Sequence, residues 1–210
     1  MSKPQPLRYD TTYHIYNRGN NGETIFRQPE NYLYFLKLFV KHFHLHVLTY
    51  AYCLMPNHFH FLLHIRSREE IVAAYRRAET QTPRVLETLG VLVPEPSQAF
   101  GNVCNAYTKA INKRFQRTGS LFENPFDRIE VTNNRYFCNL ITYIHHNPQT
   151  HGFVDDFRDW PYTSYDAILT EKPSRVARAD VLDWFGSKHE FVEAHETAVD
   201  EAKIEKFIDF

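Results

Sequence analysis

Glycine is scarce in this chain, with 7 in 210 residues, and the phosphate-cradling patterns G-x-x-x-x-G-K-[ST] and G-x-G-x-x-G do not occur. P-loop and dinucleotide-binding chemistry are thereby disfavoured. Cys53, Cys104 and Cys138 are odd in number and far apart, so they supply neither a disulfide framework nor a C-x-x-C metal or redox pair. No run of about 18 apolar residues exists, and Met1-Ser2-Lys3-Pro4-Gln5-Pro6 leads into no apolar segment. A membrane span and a signal peptide are both unsupported, and a cytoplasmic location is expected. The zinc-protease pattern H-E-x-x-H and the nucleophile elbow G-x-S-x-G are missing as well.

Positive charge is also lacking overall, the formal net charge being -1. It is unevenly spread, however. Residues 181–210 carry 8 Asp+Glu against 3 Lys+Arg, which leaves the first 180 residues with 21 basic against 17 acidic side chains. An acidic end masks a mildly basic body, a weak pointer to a polyanionic partner. What the chain has in quantity is aromatic and imidazole rings: 17 Phe, 13 Tyr and 12 His, with 43% hydrophobic residues overall. That composition excludes disorder and supports one globular domain with decoration.

The residue pattern predicts an ordered series of elements. Leu7–Tyr16 is rich in β-formers and runs into the turn-prone Asn17-Arg18-Gly19-Asn20-Asn21-Gly22, so it is expected to be a strand followed by a loop. Pro29 suits a first helical turn, and Tyr32, Phe35, Leu36, Phe39, Val40 and Phe43 recur at the spacing of one buried helical face. Val47–Met55 and His58–Ile65, separated by Pro56-Asn57, predict a hairpin. In its second strand Phe59, Phe61, Leu63 and Ile65 share one face, while His58, His60, Leu62 and His64 share the other. Residues 66–98 resemble an insertion with a short helix near Glu69–Arg77. Ala99–Gln116 predicts a helix whose Lys109, Lys113 and Arg117, with Arg114 and Arg128 nearby, form a basic ridge. Phe126–Val131 predicts a strand. A last helix follows, capped by Asn133 or Asn134, buried through Phe137, Leu140, Ile141 and Ile144, and expected to stop at Asn147-Pro148. The order is that of an α+β, ferredoxin-like (RRM-like) βαββαβ antiparallel sheet with helices.

Within this frame His58-Phe59-His60 places two imidazoles on one strand face, where both can ligate one metal ion. Alone the pattern is weak, since His44-x-His46 repeats it at a helix-strand junction. Leu62 breaks the alternating histidine run of the histidine-triad hydrolases. Tyr143 and Asn147 lie four apart on the last helix, hence on one face. By default the first is a packing residue and the second a helix stop.

Taken together, these residues resemble the single-tyrosine HUH transposases, and within them the REP-associated tyrosine transposases. The resemblance is carried by Tyr13-His14-Ile15-Tyr16-Asn17-Arg18-Gly19, Leu54-Met55-Pro56-Asn57-His58-Phe59-His60, Thr118-Gly119-Ser120-Leu121-Phe122, Tyr143-Ile144-His145-His146-Asn147-Pro148 and Trp160-Pro161-Tyr162-Thr163-Ser164, in that order. It spans roughly residues 1–165, with 66–98 inserted, and leaves 166–210 as an acidic, mostly helical C-terminal extension. Asn147, where related insertion-sequence transposases carry Gln, and the chain length favour the REP-associated branch.

The resemblance implies an HUH endonuclease core. In it His58, His60 and Asn147 ligate a divalent metal, Mg²⁺ or Mn²⁺, and Tyr143 is the nucleophile. It also implies cleavage of single-stranded DNA at palindromic hairpins, through a 5′-phosphotyrosine with a free 3′-OH, followed by strand transfer. His64, His145 and His146 are candidates for the base that activates Tyr143. Arg18, Lys109, Lys113, Arg114, Arg117 and Arg128 are candidate DNA contacts, and no membrane partner is expected of what would be a monomer or homodimer. Two other readings stand beside this one. In the first, the chain is a catalytically silent RRM-like module that stacks bases on its sheet. In the second, a metal-dependent phosphohydrolase uses water and Tyr143 is a spectator.

Overall fold

The computed structural model describes residues 5–80 and 93–196. Its centre is an antiparallel sheet in the order β2-β3-β1-β4, formed by β1 (Thr11–Arg18), β2 (Val47–Met55), β3 (His58–Ile65) and β4 (Asp127–Glu130). This is the order expected of a ferredoxin-like chain. The hairpin falls where Pro56-Asn57 predicts it, with Met55 opposite His58 and Cys53 opposite His60. The first strand starts later than expected, at Thr11, because Asp10 adopts a left-handed conformation (φ 51°) that breaks the extended run from Leu7.

Helix α1 (Pro29–His42) opens where Asn31 Oδ1 accepts the backbone N–H groups of Arg27 and Gln28, both at 3.0 Å. A short helix α2 (Arg68–Thr80) follows β3, and α3 (Pro96–Arg114) begins on a proline at its first turn. Helices α1 and α3 lie on one face of the sheet. There Phe35, Phe39, Phe59, Phe61, Phe100 and Tyr107 form the first core, each burial worth about 2–3 kcal/mol. Helix α3 ends before Arg117: Phe115 closes it and Gln116 takes a left-handed turn (φ 50°). The expected ridge therefore breaks, leaving Lys109 and Lys113 exposed on the helix and Arg117 in the following turn.

Helix α4 (Asn134–Thr150) crosses the opposite face. It does not stop at Asn147-Pro148. Pro148 gives up its own N–H bond and crowds the carbonyl of Ile144 one turn back, yet the helix continues past it and ends through Gly152 (φ 70°), whose N–H donates to Gln149 O at 2.9 Å, while Phe153 N–H donates to Pro148 O at 2.9 Å. Leu140, Ile141 and Ile144 bury against Cys53, Met55 and Leu62 in a second core. Short helices α5 (Tyr165–Leu169), α6 (Arg178–Phe185) and α7 (Lys188–Glu196) complete that core with Ile168, Val181 and Phe191. The free edge of β2 is covered by returning chain, Leu54 N–H bonding Tyr162 O at 3.0 Å and Ala177 N–H bonding Thr49 O at 2.8 Å.

Candidate functional site

The sheet face under α4 collects the imidazoles. In the β1–β3 register His14 stands opposite Leu62, Tyr16 opposite His60 and Arg18 opposite His58. Opposite residues of an antiparallel pair share a face, so β1 and β3 set His14, Tyr16, His58 and His60 side by side. The His58 and His60 ring centroids are 5.2 Å apart at 86°, and the His14 and His60 centroids are 5.1 Å apart. Both β3 imidazoles are buried, at 6% and 0% exposure.

Neighbours fix how these rings present themselves. Asn57 Oδ1 lies 2.7 Å from His58 Nδ1; an amide oxygen only accepts, so Nδ1 carries the proton and Nε2 is the lone-pair nitrogen. His14 Nε2 and His60 Nδ1 are 2.9 Å apart and share one proton; in the tautomer in which His60 donates, its Nε2 is the lone-pair atom, as a metal ligand requires. Burial pushes His58 down to about 3, helped by His151 and Arg18, and pushes His60 well below the ordinary histidine range. Both are therefore neutral near pH 7, the form that ligates metal.

Helix α4 brings the other partners. Tyr143 is 4% exposed, its ring 5.8 Å from that of His60 at 79°. Two turns on, the ring of His151 is 4.9 Å from that of His58. Asn147 lies one turn from each, so the same helix face carries it past the imidazole pair. Its Nδ2 donates to Tyr143 O at 2.9 Å, while its Oδ1 is buried with no hydrogen-bond partner among the described residues. A buried carbonyl left unpaired calls for an explanation, and a cation is one. Among the described residues no group of three or more His, Cys, Asp or Glu is gathered to hold a metal. Two neutral imidazoles and an amide oxygen suit a divalent cation that keeps open positions.

The other expected residues are placed differently. Arg18 sits across from His58 and pairs with Glu123, Nε to Oε1 at 2.7 Å. Lys109, Lys113 and Arg114 lie on α3, on the far side of the sheet from the imidazoles; Arg114 donates to Gln28 Oε1 at 2.8 Å. Arg117 is held by Glu23 and by Asn112 Oδ1. Arg128 lies 3.8 Å above the Phe126 ring and donates to Gln5 O and Phe126 O, a half-buried packing position. The candidate bases are engaged elsewhere. His145 is fully buried between Ser164 Oγ and His195 Nε2, both at 2.8 Å, His146 bonds His195 O, and His64 bonds Thr12 at the other end of β3. Sequence reasoning assigned no role to His14, Asn57 or His151. The signal for His14 was the period-two alternation that puts it on the face of Tyr16 and Arg18.

The blocks that carried the sequence resemblance meet at this end of the sheet. Gly19 N–H donates to Asn57 O at 2.8 Å, and Gly19 also bridges to Phe122. Gly19 is required for close approach, since a Cβ there would lie 2.0 Å from Glu23 O.

No protein-family model matches the chain. Over 141 residues, 66% of the chain, it is 27% identical to a Haemophilus influenzae protein described as "Putative REP-associated tyrosine transposase", of which 67% is covered. In fold it is similar to a solved structure described as "Structure of the REP associates tyrosine transposase bound to a REP hairpin". The TM-score is 0.56 at 14% identity, covering 80% of this chain and 86% of that one. The resemblance expected from the sequence is thus found in sequence and in fold. Both relatives are described as tyrosine transposases, the second bound to a REP hairpin.

Proposed function

We propose that this chain, a relative of the REP-associated tyrosine transposases, cleaves and rejoins single-stranded DNA at palindromic hairpins with Tyr143 as its nucleophile. One observation carries the reading: Tyr143 faces His60 from α4, and Asn147, one turn on, has a buried carbonyl in need of a partner.

In the reaction the Tyr143 Oη forms a bond to phosphorus as the bond from phosphorus to the 3′ oxygen breaks. The phenolic proton leaves and the departing oxygen takes one up, giving a 5′-phosphotyrosine and a 3′-OH. Because one ester replaces another, the linkage stays available for rejoining. His58, His60 and Asn147 would hold the divalent cation, Mg²⁺ or Mn²⁺. When bound, that cation supplies Lewis-acid charge stabilisation to the phosphate. Asn57 and His14 orient the two imidazoles, burial around Tyr143 limits competition from water, and the half-exposed Arg18 guanidinium is placed to meet a phosphate.

The silent-module reading requires an open sheet on which bases stack. Here α1 and α3 cover one face and α4 the other, leaving Tyr16 only 6% exposed.

The test incubates the whole protein with a labelled hairpin oligonucleotide, taken from a palindrome beside its own gene, with Mg²⁺ or Mn²⁺. A denaturation-resistant protein-DNA adduct is expected in wild type and absent in Tyr143→Phe. Cleavage that persists in Tyr143→Phe would favour hydrolysis by water instead.

A further inference from the structure

We propose that His151, Phe153 and Trp160 form a stacking track for the unpaired bases that flank the scissile phosphate. The inference rests on the DNA-cleaving reading above and names the part of the substrate that this surface holds.

The track starts at the site itself. From His58 the ring centroids step 4.9 Å to His151, 6.4 Å to Phe153 and 5.8 Å to Trp160, the last two steps tilted by only 39° and 33°. The geometry is built by the end of α4. Tyr143 faces His60 and His151 faces His58, so the helix runs along the imidazole pair and out past it. The left-handed Gly152 then turns the chain so that Phe153 stands beside the indole.

Two features distinguish this row from ordinary core packing. His151 is exposed, and Phe153, at 38%, is among the few exposed large apolar side chains of the described residues. Trp160, by contrast, is fixed: its Nε1 donates to Leu54 O at 2.8 Å, and its ring is packed edge-on against Tyr32 and Tyr162. A ring already immobilised loses little entropy when a base stacks on it. Nucleobases are the chemistry that fits, because each presents a flat π face, and a strand whose phosphate lies at Tyr143 must lead its neighbouring nucleotides away along some surface. The outer end of α4 is continuous with the imidazoles.

The experiment uses the whole protein and two DNA probes: a flush-ended hairpin, and the same hairpin with a short single-stranded flank on the 5′ or 3′ side carrying 2-aminopurine. Wild type is expected to quench 2-aminopurine on one flank and to bind the flanked hairpin about tenfold more tightly than the flush one. Phe153→Ala should abolish the quench and this preference while leaving flush-hairpin binding unchanged and the protein folded, and Phe153→Trp should retain both. The track is overturned if wild type binds the two hairpins alike, or if Phe153→Leu keeps the full quench. Binding of neither hairpin would remove the DNA reading itself, a result distinct from both.

Discussion

At the scale of residues, the site is a set of buried neutral imidazoles, of which His58 is held in one tautomer by the amide oxygen of Asn57. His58 and His60 were legible in the sequence because strand alternation puts them on one face whatever the fold. Their partners were not, because His14 reaches His60 only through the β1–β3 register and Asn57 meets His58 only through the shape of the turn. Such contacts are three-dimensional facts with no local pattern. They also predict an effect. If His58 ligates the proposed cation, loss of its hydrogen bond to Asn57 should cost about 10–100-fold in affinity, so Asn57→Ala should weaken Mn²⁺ binding at least about tenfold by isothermal titration calorimetry on the protein alone. Asn57→Asp, which keeps an acceptor oxygen, should retain most of it. Equal affinity in wild type and Asn57→Ala would show that the turn does not support the ligand.

At the scale of elements, periodicity located the buried helices and the hairpin, while boundaries went wrong wherever one residue's backbone decided them. Asp10 delays β1 and Gln116 stops α3 short of Arg117, each through a positive φ in a non-glycine residue that sequence does not announce. Pro148 misled in the opposite sense, since a proline in the last turn is tolerated and Gly152 ends α4. Two glycines separate the two reasons for the residue. At Gly152 the space is open and only φ 70° is at stake, so Gly152→Ala should cost about 1 kcal/mol in urea unfolding. At Gly19 the φ is ordinary, -68°, but an added Cβ would collide with backbone. Gly19→Ala should therefore destabilise more than Gly152→Ala and disturb the turn that carries Asn57; the reverse order in unfolding midpoints would contradict this assignment.

At the scale of the whole molecule, two cores share one sheet, and the helix bearing Tyr143 and Asn147 belongs to the second. The C-terminal extension, 166–210, reads in the sequence only as acidic and helical; residues 197–210 of it lie outside the described residues. The described part, 166–196, is tied in through His195 of α7, which bonds His145 of α4 inside that core. Burial lowers both imidazoles, His195 to about 4. An unfolded histidine titrates near 6.5, so between about 6.5 and 4 the unfolded chain binds more protons than the folded one, and stability falls as pH falls through that window. Urea midpoints measured from pH 7 to 4 should decline accordingly, and the decline should be shallower in His195→Leu than in wild type. Whether α4 delivers the nucleophile to the imidazole pair is tested most directly by forming the adduct with a hairpin oligonucleotide, digesting protein and DNA, and locating the nucleotide by mass spectrometry. A phosphotyrosine is expected on the peptide that contains Tyr143. Attachment at Tyr16, whose ring also faces His60 at 6.0 Å, or at any other residue, would contradict it.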